Sequence, residues 1–474
     1  EAPTGSGKTN TSINLALKIL ENSPRQNKIF YIFPFNTLVE QTKKALDKAL
    51  NYNENHNIRV AVINSVTPIL TDEEVKGDEN HNDYEKYLIN RQFLHYPIVL
   101  TTHVNFFNYL FGTGREAGFP LIHLCNSVVI IDEIQSYRNS IWMEIIMFLE
   151  KYGKLLNMKV IIMSATLPKL DELIKLKSAG FTELIKDKRK YYDNSLFKNR
   201  VGLNFDLLEL GGITMEQYIE KAVEIIQKHG PKRVLIEFIK KSTARKVYNA
   251  LKEILPEKQI VELTGDDNIL NRNRILRLIN ERDENRDFVC KDIIVVATQV
   301  IEAGVDIDMD IGMKDISMLD NEEQFLGRIN RSCSRVGCTA YFFDMDNAEG
   351  IYKRDVRLEK NLHDKEYRGY LENKDFEEFY KLCFKRIDDI KSEYNSNSIG
   401  DVINDALVLD FGHIEERMQL IDSKQCRLFL AYEIFADKGE RIDGLEVWEK
   451  YKSLAFDNNM KYARKVVELS RIYE

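Results

Sequence analysis

At 474 residues with 44% hydrophobic content, the chain is too long for one core and sufficient for two or three domains. A formal charge of −8 and a pI near 5.7 exclude a protein that coats nucleic acid through its overall field, so any strand it binds must lie in a local groove. Six cysteines without a C-x-x-C pair leave a zinc ribbon and a disulfide framework unsupported, no apolar run approaches the roughly 18 residues of a membrane span, and the N-terminus is no secretory signal, so the chain reads as cytoplasmic.

Ala2 to Thr9 read APTGSGKT, a phosphate-gripping loop with Ala2 in the first glycine position. Thr4, Gly5, Ser6 and Gly7 supply backbone N–H groups that converge on phosphate oxygens at the N-terminus of the helix beginning near Thr9. Lys8 is expected to reach the β- and γ-phosphates and the Thr9 hydroxyl a Mg²⁺ ion, which makes ATP and Mg²⁺ the expected cofactors. A Gly-rich turn that only caps a helix is the competing reading. Such a loop ordinarily follows a core strand, and only Glu1 precedes Ala2, so domain one is expected to lack its first strand in this chain.

Downstream, strand patterns alternate with helical ones: IFYIF at Ile29–Phe33 before a helix from Leu38, Arg59–Ile63, Ile98–Leu100 before the aromatic helix around Phe106–Phe111, Ser127–Ile131, and Val160–Met163. Alternation of this kind predicts a parallel sheet with both faces covered, over residues 1–185. The stretch 186–200 is polar and aperiodic and reads as a solvated connector, with a basic run beside Tyr191 and Tyr192 that could touch nucleic acid. The pattern restarts with strands at Val234–Phe238, Ile260–Leu263, Ile293–Ala297 and Thr339–Phe343 and a helix over Ser242–Leu255, predicting a second α/β domain over 201–345. Residues 346–474 are charged and helix-favouring, and read as a mainly helical accessory domain.

VVIIDEIQ, Val128 to Gln135, puts two carboxylates at the carboxyl end of a buried strand, where ligands of open α/β sheets gather. Asp132 is expected to hold Mg²⁺ and Glu133 to orient or deprotonate the attacking water, while Gln135 relays nucleotide state. In MSATLP, Ser164 and Thr166 could simply cap a helix; placed after DEIQ they read as coupling residues. The segment VVATQVIEAGVDID contains Thr298, Gly304 and Asp306, and EEQFLGRINR contains Gln324, Arg328 and Arg331. Three residues apart, Arg328 and Arg331 are expected on one helical face, pointing at phosphates from the second domain. A guanidinium delivered that way is worth about 10³–10⁵ in rate. The competing reading is an exposed helix with two unpaired arginines.

Taken in order, APTGSGKT, FPFNTLVEQT (Phe33–Thr42), VLTTHVNFFNYLF (Val99–Phe111), DEIQ, SATLP, Thr298–Asp306 and QFLGRINR resemble the motifs of superfamily 2 helicases. The phrases FPFNTLVEQT, TTHVNFF, DEIQSY and QFLGRINR are similar to the helicase of type I CRISPR–Cas interference. Ile134-Gln135 departs from the DEAD and DEAH forms, and Asn330 stands where many helicases carry glycine. His363-Asp364 reads as a solvated helix rather than a remnant of a metal site.

The resemblance implies an α/β fold of two tandem RecA-like parallel-sheet domains, a P-loop NTPase, followed by the helical accessory domain. It implies ATP hydrolysis by Lys8, Glu133, Gln324, Arg328 and Arg331, with Gly304 and Asp306 beside the nucleotide. It also implies a single-stranded DNA held through its phosphates by Pro34, Asn36, Thr37, Thr101, Thr102, Thr264 and Thr298, and travel 3′ to 5′. Its implied partners are a guide-RNA surveillance complex and an HD nuclease domain or subunit, with no membrane. A superfamily 2 motor acting on RNA or in restriction, and a nucleotide-responsive docking module without turnover, are the competing functions.

Overall fold

A computed structural model describes residues 1–50, 59–64, 67–70, 84–172, 181–302, 304–353, 355–393, 398–420, 429–435, 439 and 441–472. By its contacts the chain divides into two compact units, the first comprising 1–11, 133–146 and 163–398, the second 12–132, 147–162 and 399–474.

The second unit is built on a five-stranded sheet. Its strands are β1 (Lys28–Phe33), β2 (Val60–Ile63), β3 (Ile98–Thr102), β4 (Ser127–Asp132) and β5 (Lys159–Met163), in the order β2-β3-β1-β4-β5. β1 pairs in parallel with β3 and β4, Tyr31 lying opposite Leu100 and Ile130. Every residue of β4 is buried, as a strand covered on both faces requires. Helix α1 (Lys8–Asn22) precedes β1, and α2 (Asn36–Leu50), α3 (Tyr84–Gln92), α4 (His103–Phe111), α5 (Arg115–His123) and α6 (Trp142–Leu155) lie between successive strands. Thr102 caps α4, accepting from the Asn105 amide, so the chain turns from strand into helix within one residue.

The first unit contains a six-stranded sheet: β6 (Gly202–Asn204), β7 (Arg233–Glu237), β8 (Gln259–Leu263), β9 (Ile293–Ala297), β10 (Ile311–Asp315) and β11 (Thr339–Phe343), in the order β6-β11-β10-β7-β9-β8. Each neighbouring pair is parallel. Helices α7 (Met215–His229), α8 (Lys241–Ile254), α9 (Ile269–Asn280) and α10 (Leu319–Leu326) accompany it. α7 opens on a capping box in which Thr214 and Gln217 satisfy each other's backbone amides, and buries Tyr218, Ala222 and Ile226 against Ile236, Phe238 and Phe343. β10 is absent from the hydrophobic pattern because its sequence, IGMKD, carries two charges, yet all five residues are buried. Lys314 is tolerated there because Glu237, Glu302 (2.9 Å) and Glu322 (3.6 Å) surround its ammonium.

Beyond β11 the described residues are mainly helical: α11 (Lys365–Asn373), α12 (Phe376–Glu393), α13 (Ser398–Leu407), α14 (Phe411–Arg417), α15 (Gly444–Phe456) and α16 (Tyr462–Arg471), with a two-residue antiparallel ladder at Ile434–Phe435 and Arg441–Ile442. α11 and α12 group with the six-stranded sheet, and α14 to α16 with the five-stranded one. In the second unit Tyr84 donates to Glu468 at 2.9 Å and Thr113 to Glu415 at 2.6 Å, fastening α16 to α3 and α14 to the turn between α4 and α5. No helix among the described residues is long and apolar enough to cross a membrane.

Candidate nucleotide site

The phosphate loop belongs to the first unit. Gly5 and Gly7 take φ of +87° and +83°, a backbone region that costs glycine little, and turn the chain so that α1 starts at Lys8. The Lys8 ammonium donates to the carbonyls of Ala2 (3.1 Å) and Pro3 (3.2 Å), curling back over its own loop. Ala2 N–H donates to the Ser164 carbonyl at 3.4 Å, which ties the loop to the SATLP segment.

Glu133 sits at φ +49°, a strained setting for a non-glycine residue. Its carboxylate accepts from the Ser164 hydroxyl at 3.0 Å and from the Gln135 amide, and Thr166 N–H donates to Ser164 Oγ at 3.0 Å. Gln135, Ser164 and Thr166 are fully buried. The structure thus brings Gln135 and Ser164 onto Glu133, and Thr166 onto Ser164. Asp132, the last residue of β4, is buried in the second unit.

Arg328 and Arg331 do not share a helical face. α10 ends at Leu326, Gly327 caps it, and Asn330 turns the chain at φ +47°. Asparagine tolerates that conformation, which accounts for its presence where glycine is common; its amide donates to the Arg200 and Arg335 carbonyls at 3.0 and 2.9 Å. Arg328 is buried, not exposed, and donates to the Ile301 and Glu302 carbonyls at 2.9 and 2.5 Å. Burial, with Arg331 as a neighbouring positive charge, lowers its guanidinium to about 9, against the pull of Asp306 and Glu133. Arg331 is 30% exposed in its side chain and pairs with Asp306 at 2.7 Å. Gly304 takes φ +78°, and the Asp306 carbonyl accepts from Asn280 at 2.7 Å.

The backbone that carries these arginines approaches the phosphate loop at Gly327 and Arg331. A Cβ added at Gly5 would meet the Arg331 carbonyl oxygen at 3.5 Å, and one at Gly327 would meet the Thr4 methyl at 2.5 Å. Arg200, placed by the sequence in a solvated connector, donates to the Thr4 carbonyl (3.1 Å) and the Leu326 carbonyl (3.2 Å), joining loop to helix end. In the same stretch Tyr192 is buried and donates to the Ala165 carbonyl at 2.6 Å, while Tyr191 stays exposed. Nothing in the local pattern distinguishes Arg200 or Tyr192 from a solvated residue.

Among the strand-contact candidates, Thr101 is fully buried and donates to the Ile63 carbonyl at 2.5 Å. Thr264 and Thr298 are also buried, and Gln324 lies in the last turn of α10. Pro34 is buried, whereas Asn36, Thr37 and Thr102 are partly exposed. Exposed His363 pairs with Asp344 at 2.9 Å, and Asp364 caps α11.

Residues 1–173 match the DEAD/DEAH box helicase family and residues 231–334 the C-terminal family of the CRISPR-associated nuclease/helicase Cas3. The chain is 24% identical over 351 residues to the CRISPR-associated nuclease/helicase Cas3 of Methanothermobacter thermautotrophicus, covering 70% of this chain and 38% of that protein. It spans less than half the length of the curated relatives it matches first. Its fold is similar to that of T. fusca Cas3-ADP (TM-score 0.60, 15% identity, covering 89% of this chain and 52% of that one). It is likewise similar to a chain of a CRISPR RNA-guided surveillance complex, pre-nicking (TM-score 0.55, 14% identity, 89% and 51% covered). The phosphate loop, the Glu133 network and the two arginines follow one another in helicase order along these matches, and the chain is similar over both stretches to the helicase part of CRISPR-associated nuclease/helicases.

Proposed function

We propose that the chain is the motor of an ATP-dependent single-stranded DNA translocase of type I CRISPR–Cas interference, working in the cytoplasm. It would move 3′ to 5′ and unwind target DNA for an HD nuclease acting in cis or in trans, after a guide-RNA surveillance complex has opened the duplex. On this reading 1–185 and 201–345 are the two RecA-like lobes, joined by 186–200, and 346–474 is accessory.

The observation that carries the reading is the packing of Thr4 and Gly5 against Gly327 and Arg331. On this reading the segment after α10 would turn the guanidinium groups of Arg328 and Arg331 toward a triphosphate seated on the loop. Lys8 would exchange the Ala2 and Pro3 carbonyls for phosphate oxygens, because an anionic acceptor attracts the ammonium more strongly than a neutral carbonyl does. Glu133 orients the attacking water, and Arg328 and Arg331 meet the charge that develops on the γ-phosphoryl oxygens. Thr9 and Asp132 offer the hard oxygen donors that suit Mg²⁺, which when bound neutralises phosphate charge. Contacts of the arginine segment that depend on the γ-phosphate bias the closed arrangement, and its loss releases it. Asn36, Thr37 and Thr102 offer polar groups at the surface for strand phosphates; Pro34, Thr101, Thr264 and Thr298 shape the segments that carry backbone contacts.

ATP turnover measured with single-stranded DNA and with RNA of equal length tests the assignment. Stimulation by DNA is expected, and a strong preference for RNA would remove the CRISPR reading. Unchanged DNA-stimulated turnover in Lys8→Ala would remove the enzyme reading altogether.

A further inference from the structure

Arg357 lies outside the matched helicase stretches, in the short turn Val356–Glu359, and is 3% exposed. Its Nη1 donates to the Gln135 carbonyl at 2.8 Å and to Asp320 Oδ2 at 2.6 Å. Its Nε and Nη2 close a fork on Asp355 at 2.9 and 2.6 Å, and Asp355 also takes the Asn139 amide at 2.6 Å. The guanidinium lies 5.6 Å from the centroid of the Trp142 ring, which packs edge-on against Tyr380 and Phe384 of α12.

Two of these partners stand on opposite parts of the nucleotide site. Gln135 bonds through its side chain to Glu133, and Asp320 lies in the first turn of α10, which runs into Arg328. A buried planar fork with five donors can hold a carbonyl and two carboxylates at once; an ammonium cannot reproduce that spread.

We propose that Arg357 is a positioning residue of the ATPase, holding the Glu133–Gln135 turn at a fixed separation from the helix that delivers Arg328 and joining both to α12. The inference rests on the ATPase reading given above. Because its partners are Gln135, Asp320 and Asp355 and not residues of the phosphate loop, Arg357 acts on the closed geometry and not on nucleotide capture.

The test uses R357K, which keeps charge but loses the fork, and the charge-conserving pair R357Q/D320N. DNA-stimulated kcat, KM for ATP and melting temperature are measured for each against the parent chain. The expected result is a kcat lower by about 10- to 100-fold with KM within about threefold in both variants, and R357K melting within about 4 °C of the parent. Retained kcat in either variant overturns the proposal. So does a kcat deficit that disappears on cooling below the variant's melting transition, since a purely structural role predicts that recovery. Absence of turnover in the parent chain overturns the ATPase reading itself and the inference with it.

Discussion

The Ser164 hydroxyl donates to the Glu133 carboxylate at 3.0 Å. The bond fastens the strand-end acid to a second strand end, and Thr166 N–H in turn holds Ser164 Oγ at 3.0 Å. Two donors therefore fix the Glu133 carboxylate, and the water-orienting role proposed for it can be tested by substitution. Glu133→Gln keeps the hydrogen-bonding shape and loses the charge and the basicity. It is expected to bind ATP within about threefold of the parent and to lose about 10²–10⁴ in kcat, measured by nucleotide titration and single-turnover hydrolysis. Loss of binding instead would contradict the water-orienting role.

Gly327 gives a steric test of the loop-to-helix approach. Its φ of −62° suits any residue, so an added methyl strains no backbone, yet its Cβ would meet the Thr4 methyl at 2.5 Å and the Gln324 carbonyl at 3.0 Å. Gly327→Ala is expected to lower kcat by about 10-fold or more with little change in melting temperature. Adding Thr4→Ser, which deletes the clashing methyl, is expected to restore part of the rate. A double variant no faster than Gly327→Ala would show that this contact does not set the separation.

The two arginines are expected to behave differently. Arg331 is part-exposed, so Arg331→Ala should reduce kcat by about 10³-fold or more while melting close to the parent. Arg328 is buried on two carbonyls, and Arg328→Ala leaves both without their donor, a cost of about 1–3 kcal/mol each in addition to the catalytic loss. Thermal melting beside turnover separates the two effects. Equal melting for both variants would contradict the buried placement of Arg328.

Asp315 makes stability depend on pH. Burial, reinforced by neighbouring Asp346, pushes its carboxyl from 3.8 up to about 8. The folded chain thus holds a proton that the unfolded chain gives up near pH 4. The stabilising contribution is complete below about pH 4 and is withdrawn as pH climbs through about 8. Melting temperatures across that window should fall more steeply for the parent than for Asp315→Asn. Parallel curves would refute the assignment.

Periodicity and motif order, both local properties, were enough to read much of the architecture. IFYIF, VVII and VIIM are wholly apolar runs, and strands covered on both faces need such runs wherever they lie. Phosphate chemistry likewise demands Gly5, Gly7, Lys8 and Thr9 within one turn of backbone, so that loop is legible in isolation. β10 escaped the pattern because Lys314 is stabilised by Glu237, which is 77 residues away in the chain. The helical spacing of Arg328 and Arg331 misled because α10 ends at Leu326, before either arginine, and Asn330, held by the Arg200 and Arg335 carbonyls, turns the chain between them. Arg200 and Arg357 look like ordinary charged residues of a polar stretch, yet their partners Thr4 and Gln135 are 196 and 222 positions away. The sequence by itself determined which groups can handle a phosphate and which runs must be buried, because both follow from neighbours along the backbone. Only the tertiary structure decided which carbonyls and carboxylates each buried cation would find, since that choice depends on segments meeting across the fold.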